Sequence, residues 1–332
     1  MSSIRVQCAG KSHTVSFSDG ETLLSALRSA GFSVPAACGG RGKCGKCRVA
    51  VNGVPRLACK TVPCDADEIM LPEAAGGTIL TQTVTVPRSA DTEAGCAAAV
   101  DLGTTTLAVR LYDLESGKEL ATLSAWSAQA AYGADVISRI QHTIDSPDGL
   151  SELSGLIRRQ TEQLILQALS DSSRSADELK RIAVAGNTVM QHIFAQLPVR
   201  SIAVAPFTPL SLFDGECEDE LLGAKIIYAP CVAGYVGGDI TAGLLASGLC
   251  AGSGENLFLD IGTNGEMALG GRNGFLCCAV ASGPAFEGAG ISCGMAALKG
   301  AVSHVRYDKG FLFDVIGGGT ALFASWSART SP

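Results

Sequence analysis

The sequence has 332 residues, of which 47% are hydrophobic and only 5% aromatic, and its formal net charge is -7. An apolar fraction near the globular average excludes an intrinsically disordered chain. With 25 basic against 32 acidic side chains, the composition also argues against a cationic surface for nucleic acid or an anionic membrane. A chain of this length predicts two or three domains, because single cores rarely grow past about 250–300 residues.

The mean hydropathy is positive, +0.27, so membrane insertion has to be considered. The sequence contains no uninterrupted apolar stretch of about 20 residues, the length that spans a bilayer. The best candidate, residues 226–249, contains Asp239 and five glycines. The N-terminus lacks the basic and apolar segments of a signal peptide, so the sequence predicts a cytoplasmic protein. In that compartment its 13 cysteines are expected to be thiols, metal ligands or redox groups.

The pattern of residues 1–75 predicts a small β-grasp domain. Its expected elements are strands at residues 4–8 and 13–17, a short helix, a strand at residues 46–51, a later strand at residues 56–59 and a last strand at residues 68–71. We expect Asp19 to cap the start of the helix and Gly31 to end it. Residues 76–95 contain a glycine pair and a threonine-rich run with few strongly apolar positions, which predicts a linker.

Four cysteines of this domain have the spacing of cluster ligands: Cys38, Cys44, Cys47 and Cys59. Four glycines lie between the first three of them. Because glycine adopts backbone conformations that other residues avoid, such a loop can wrap closely around a cluster and direct N–H groups at its sulfides. The five-residue first gap resembles that of vertebrate-type ferredoxins. The motif therefore predicts a 2Fe-2S cluster.

The alternative is a four-cysteine zinc site, in which Cys64 would replace Cys38 as a ligand. A zinc site of this kind would not explain Cys38 or the glycine-rich loop that follows it. We therefore favour iron and expect Cys64 to be a spare thiol. The remaining cysteines lack ligand spacing and are expected to be small buried residues.

The rest of the chain contains an internal repeat. The sequence Asp-Leu-Gly-Thr at residues 101–104 returns as Asp-Ile-Gly-Thr at residues 260–263, each time after an apolar strand and before a hairpin. Each copy is expected to open one lobe of a two-lobed α/β unit, with the first lobe at residues 96–205 and the second at residues 206–332.

The repeated loops have the composition of phosphate-binding loops. Glycine lets the hairpin backbone approach phosphate oxygens, while N–H groups and hydroxyls donate to them and the aspartates hold Mg²⁺ through water. The alternative is two tight hairpins in which aspartate caps its own turn. The candidate nucleotide-binding residues are Asp101, Gly103, Thr104, Thr105, Asp260, Gly262, Thr263, Asn264 and Gly265.

The double motif resembles the phosphate loops of the actin, sugar kinase and heat-shock ATPase (ASKHA) superfamily. More narrowly, the sequence resembles the reductive activators of corrinoid proteins, in the cysteine motif and in VDLGTTTLAVRLYDL, AGNTVMQH, YVGGDITAGLLASG, LDIGTNGEMALG and SGPAFEGAGISCGM. The resemblance implies a β-grasp 2Fe-2S ferredoxin domain followed by an RNase H-like, actin-like ATPase domain, a mixed α+β and α/β architecture. It also implies that ATP drives one electron from a cellular reductant onto the cobalt of a corrinoid protein.

Two departures from the family are expected to matter. Longer members carry linker and middle domains after the ferredoxin, whereas only a short linker follows it here. Family members also continue into a half-lobe with the adenosine loop, which residues 320–332 do not resemble. The sequence therefore predicts an incomplete second lobe and weak or absent binding of ATP and Mg²⁺.

The electron transfer that the resemblance implies needs no side chain as nucleophile or general acid, so no catalytic residue is predicted. We expect the four histidines to be surface or core residues. The rival functions are a simple 2Fe-2S electron carrier with an ASKHA-like docking domain, a kinase with an accessory ferredoxin, and a fused dehydratase activator. A kinase would need a catalytic base near the second loop, and none can be assigned. Neither nucleic acid nor a membrane is expected as a partner.

Overall fold

The computed structural model describes residues 2–8, 10–32, 34, 36, 40–42, 45, 47–71, 93–133, 135–215, 217–252, 254–262, 264–280, 300, 302–316 and 318. The chain forms two compact units, Met1–Leu80 with Ser282–Pro332, and Thr81–Ala281. None of the helices in these described ranges combines the length and hydropathy that a bilayer crossing requires. The predicted linker lies mostly outside the described residues.

The first unit contains a five-stranded sheet with one helix. Its elements are β1 (Ser2–Cys8), β2 (Lys11–Phe17), α1 (Leu23–Ser29), β3 (Arg48–Val51), β4 (Val54–Leu57) and β5 (Glu68–Met70). The strand order is β2-β1-β5-β3-β4, and β5 runs parallel to β1 while the other pairs are antiparallel. The buried side of α1 and the inner side chains of the strands share one core, so the predicted β-grasp is confirmed.

Two details of this sheet differ from the sequence prediction. The helix begins at Leu23 with Thr22 as its N-cap, whose side chain accepts from the Ser25 N–H, so the assignment of the cap to Asp19 is wrong. The physical reason is that Thr22 has extended backbone directly before the helix. The later strand expected at residues 56–59 is β4, which begins and ends two residues earlier, so Cys59 lies just after it. Strand β4 pairs with β3 across Asn52-Gly53, where both residues have positive φ as a tight hairpin turn requires.

The second unit contains a six-stranded mixed sheet. Its strands are β6 (Cys96–Leu102), β7 (Thr106–Asp113), β8 (Glu119–Trp126), β9 (Leu179–Gly186), β10 (Glu220–Leu221) and β11 (Ala224–Tyr228). They lie in the order β10-β11-β9-β6-β7-β8, with β6, β9 and β11 parallel and β6 to β8 an antiparallel meander. This is the RNase H-like topology that the resemblance implied, and it brings the carboxyl ends of β6, β9 and β11 to one edge.

Helices complete this unit: α2 (Val136–Asp145), α3 (Gly149–Asp171), α4 (Thr188–Phe194) and α5 (Gly238–Ala246). The apolar stripe of α3 includes Leu153, Ile157 and Ile165, which are fully buried in the core of the sheet. The stretch 226–249 forms strand β11, a loop and α5.

A second, three-stranded sheet follows in the same unit: β12 (Asn256–Ile261), β13 (Gly265–Gly271) and β14 (Gly274–Val280). One face packs against Ile240 and Leu244 of α5. The other exposes large apolar side chains, among them Leu257, Ile261 and Leu276. Such a face favours self-association in a free chain. A separate hairpin in the first unit is formed by β15 (Val302–Tyr307) and β16 (Phe311–Val315).

Candidate functional site

The hairpin of β3 and β4 brings two of the predicted cluster ligands together. Arg48 pairs with Leu57, so Cys47, just before β3, and Cys59, two residues after β4, meet at the open end of the hairpin. Their Sγ atoms are 3.2 Å apart. Cys47 is buried and Cys59 is half-buried. Two sulfurs at this separation can ligate one metal ion.

The described part of the cysteine loop has the backbone that a cluster requires. Gly40, Gly42 and Gly45 have φ values of 86°, 73° and 68°, in the region that favours glycine. A Cβ on Gly42 would also lie 2.2 Å from Cε of Lys60. Cys38 and Cys44 lie outside the described residues. The described residues of the loop therefore fit a cluster. Cys64 is exposed, in keeping with the expectation that it is a spare thiol.

The first predicted phosphate loop lies at the carboxyl end of β6, the edge where parallel α/β sheets bind ligands. Asp101 is exposed to solvent there. Gly103 is required sterically, because a Cβ would lie 2.6 Å from the Thr106 carbonyl oxygen. Thr104 is buried, and its Oγ1 accepts a 2.9 Å hydrogen bond from Asn187 Nδ2, whereas Thr105 is half-buried. The structure therefore turns the Thr104 side chain toward the interior.

Two further loops meet the first one at this edge. Asn187 caps α4 by accepting from the Met190 N–H, directly after β9 ends at Gly186. Gly237 packs on this turn so closely that a Cβ there would lie 2.5 Å from Cα of Asn187. Asp239, half-buried in the first turn of α5, is thereby held beside the phosphate loop.

Gln191 ties the strand ends together. Its Oε1 accepts from the Gly186 N–H at 3.1 Å, and its Nε2 donates to the Ala229 carbonyl at 3.0 Å. A Cβ on Gly238 would lie 2.1 Å from Gln191 Oε1. Residues of the AGNTVMQH motif and the Gly-Gly-Asp of the YVGGDITAGLLASG motif therefore pack directly against each other.

The second predicted phosphate loop joins β12 to β13. Asp260 is half-buried near the end of β12, and Gly265 is buried at the start of β13. The Gly262 N–H donates to the Asn264 carbonyl at 2.9 Å, while Thr263 lies outside the described residues. A Cβ on Gly262 would make only an ordinary 3.6 Å contact, so sterics do not demand glycine there.

Four carboxylates of this unit share one electrostatic environment. Desolvation and then the charge of Asp260 raise the pKa of Asp101, although its side chain is accessible. Desolvation, with the charges of Asp260 and Asp101, raises the pKa of Asp239 to about 6. Desolvation and the charges of Asp239 and Asp260 raise the pKa of buried Glu266 to about 7. We call the space between these four side chains, next to the loops after β6 and β12, the phosphate cleft. It concentrates negative charge that a cation would relieve.

Asp239 and Glu266 are cleft residues that the sequence analysis missed. Asp239 could have been found from the Gly-Gly-Asp sequence at the start of α5. Glu266 could have been found because it is an acidic residue at a position of β13 where the alternation places a buried side chain. Within the described ranges, no three His, Cys, Asp or Glu side chains are close enough together to bind a metal ion directly. This arrangement fits Mg²⁺ held through its water molecules.

The histidines lie apart from this chemistry. His192 is fully buried, its Nδ1 donates to the Thr188 carbonyl, and its Nε2 accepts from the Ser211 N–H. Burial lowers the pKa of His192, so the ring is neutral. His142 is half-buried beside Glu152, and His13 and His304 are exposed. The expectation that the histidines are core or surface residues is confirmed.

We expect Glu266→Gln to stabilise the protein at pH 8 and to lose this advantage as the pH falls to 4.5. The unfolded carboxyl loses its proton near pH 4.5, whereas the folded one keeps it to about pH 7. Ionisation of Glu266 therefore opposes folding increasingly between these values, by on the order of 3 kcal/mol at most. Thermal denaturation in EDTA at both pH values measures the difference.

Glu255→Gln, which neutralises an exposed carboxylate just before β12, is the matched control. The Glu266 interpretation fails if the glutamine variant changes the melting temperature equally at both pH values.

Three family models match consecutive parts of the chain. Residues 6–64 match a 2Fe-2S iron-sulfur cluster binding domain, residues 96–251 the RACo middle region, and residues 255–321 the C-terminal ASKHA domain of RACo. The two RACo models together match about two thirds of the chain, so the chain belongs to the RACo family. The predicted family, fold class and 2Fe-2S cluster are thereby confirmed. The expectation that the middle domain of the family is missing is wrong, because residues 96–251 match that region.

Named relatives agree with membership of the RACo family. The chain is 33% identical over 232 residues to the corrinoid activation enzyme RamQ of Eubacterium limosum, a match covering 66% of this chain and 38% of the relative. It is 28% identical over 232 residues to a Co(II) methylated amine-specific corrinoid protein reductase of Methanosarcina barkeri, covering 63% and 40%. The chain thus spans about two fifths of the length of these relatives.

A solved structure of a reductive activator for a corrinoid, iron-sulfur protein has a similar fold. It superposes with a TM-score of 0.60 at 28% identity, over 95% of this chain and 69% of the other.

Proposed function

We propose that this chain is an ATP-dependent reductive activator that passes one electron to the cobalt of a corrinoid protein of methyl-transfer metabolism in the cytoplasm. The observation that carries the proposal is the presence, in one RACo-family chain, of a converging cysteine pair and a carboxylate-lined cleft at the carboxyl ends of parallel strands. A redox centre and a nucleotide site are the two parts that an energised electron transfer needs.

In the redox domain, we assign Cys38, Cys44, Cys47 and Cys59 as the ligands. The group they hold supplies one-electron transfer. Glycine N–H groups of the loop stabilise negative charge on sulfur, and the core around buried Cys47 limits access of water. The electron arrives from a cellular reductant and leaves to the corrinoid protein.

In the second unit, we assign the loops after β6 and β12 to the phosphates of ATP. Backbone N–H groups of the two loops bind phosphate oxygens, and Asp101 and Asp260 orient water around Mg²⁺. Asp239 and Glu266, with pKa values raised to about 6 and about 7, can accept a proton from a water molecule near neutral pH.

The free energy needed is modest. Moving one electron uphill by 100 mV takes about 2.3 kcal/mol. Coupling between sites is typically about 1–3 kcal/mol. A complex with the corrinoid protein that depends on bound nucleotide can therefore supply the free energy of an uphill electron transfer of about this size.

Anaerobic reduction of a purified Co(II) corrinoid protein tests the function, with the rate of Co(I) formation followed by absorbance with and without MgATP. We expect MgATP to be required and Asp101→Ala and Asp260→Ala to remove the stimulation while leaving the iron content unchanged. Reduction at the same rate without ATP would identify a simple electron carrier with a docking domain. No reduction by a chain that holds two irons would disprove the corrinoid assignment.

We also propose that residues 1–75 form one domain and that residues 76–95 are the linker after it. Residues 2–71 have their own core, so we expect residues 1–75 to fold alone and keep the cluster. Limited proteolysis followed by mass spectrometry should find the first cuts within residues 76–95. First cuts inside the cysteine loop would contradict this boundary.

A further inference from the structure

Arg139 on α2 is fully buried beneath the first phosphate loop. Its Nε donates to the Gly133 carbonyl at 3.2 Å, and its Nη1 to Gln129 Oε1 at 3.0 Å and to Met190 Sδ at 2.8 Å. Its Nη2 donates to the carbonyl oxygen of Thr104. One guanidinium therefore joins α2, α4 and the loop after β6.

This charge is buried without an ionic partner. Among the described residues no carboxylate lies within salt-bridge distance of Arg139, and the charge of Asp135 acts only from farther away. Burial lowers the pKa of Arg139 to about 10, so the group stays protonated at neutral pH. An unpaired buried cation is costly. A neutral side chain could fill the same space, so the charge itself calls for a role.

The geometry of the peptide bond indicates that role. In a planar trans peptide the C=O and the following N–H point in opposite directions. Holding the Thr104 carbonyl toward the buried Arg139 therefore turns the Thr105 N–H away from the interior. A cation at the carbonyl end also polarises the peptide and strengthens its N–H as a donor.

Other contacts keep this peptide in place. Asn187 donates to Thr104 Oγ1, and the Thr105 carbonyl accepts from the Ser127 N–H at 2.9 Å. The Thr105 N–H itself has no acceptor within the described ranges. It is a fixed donor that lacks an internal partner, as an anion-binding amide must be.

We propose that Arg139 is a positioning residue that fixes the Thr104–Thr105 peptide with its N–H toward the phosphate cleft. The inference rests on the proposed function for the identity of the anion, a phosphate of MgATP. The orientation of the peptide can be measured without any nucleotide.

The test uses the full chain and the variants Arg139→Met and Arg139→Lys. The first removes the charge and the donors, and the second keeps the charge but loses the planar fork. ¹⁵N-threonine labelling reports the Thr105 amide, assigned with Thr105→Ser, and calorimetry measures MgATP affinity. Arg158→Met is the control, because Arg158 binds Asp219, Glu220 and Phe194 at the last residue of α4, so its loss destabilises the unit without removing a contact to the phosphate loop.

We expect both Arg139 variants to shift the Thr105 amide resonance and Arg139→Met to weaken MgATP binding about tenfold or more, with neither change in Arg158→Met. If Arg139→Met does not fold, Arg139→Lys decides. An unmoved Thr105 resonance with MgATP affinity within twofold of the parent would overturn the proposal. If the parent chain binds no MgATP, the nucleotide part of the proposed function fails, and the Thr105 resonance alone decides the role of Arg139.

Discussion

Cys47→Ser and Cys59→Ser are each expected to remove the visible absorption of the protein and its bound iron. The two sulfurs lie 3.2 Å apart at the end of one hairpin, so loss of either thiolate leaves a group there with an incomplete ligand set. Serine keeps the size of the side chain but is a poor ligand for iron, which protein thiolates hold in such clusters. Absorption spectra and iron analysis of anaerobically purified protein measure the effect.

Cys64→Ser is the control for this experiment, because Cys64 is exposed five residues after Cys59. The control should keep its colour and two irons per chain. A colourless parent protein with one zinc per chain, or bleaching by Cys64→Ser, would show that the metal or the ligand set is assigned wrongly.

Gly237→Ala is expected to destabilise the second unit by about 3 kcal/mol, or about 10 °C in melting temperature. The added methyl would lie 2.5 Å from Cα of Asn187 and 2.6 Å from the Gly186 carbonyl oxygen. Both contacts are with backbone, so the loops must separate to admit it. Because Asn187 also holds Thr104, we expect MgATP binding to weaken in the molecules that stay folded.

Gly215→Ala is the matched substitution, since a Cβ there meets nothing within 4 Å and its φ is ordinary. Thermal denaturation of both variants measures the difference. Equal melting temperatures for the two variants would contradict the close packing of the three loops.

Local patterns in the sequence predicted most of the elements. The two Asp-aliphatic-Gly-Thr motifs lie at the ends of β6 and β12, and the expected hairpin follows each of them, as β7 with β8 and as β13 with β14. The strand expected at residues 56–59 is two residues too late, because β4 is Val54–Leu57 and begins directly after Asn52-Gly53, a strong hairpin signal that the prediction did not use. Pro55 interrupts the alternation of this short strand.

By itself the sequence determined the spacing of the cysteines, the repeat and the family, because each of these is recognised from short stretches of consecutive residues. The tertiary structure decided that Asp239 and Glu266 share a cleft with Asp101 and Asp260, and that Arg139 lies beneath the phosphate loop. Burial and charge interaction depend on distances between elements far apart in sequence. They therefore arise only when the strand ends of the sheet meet.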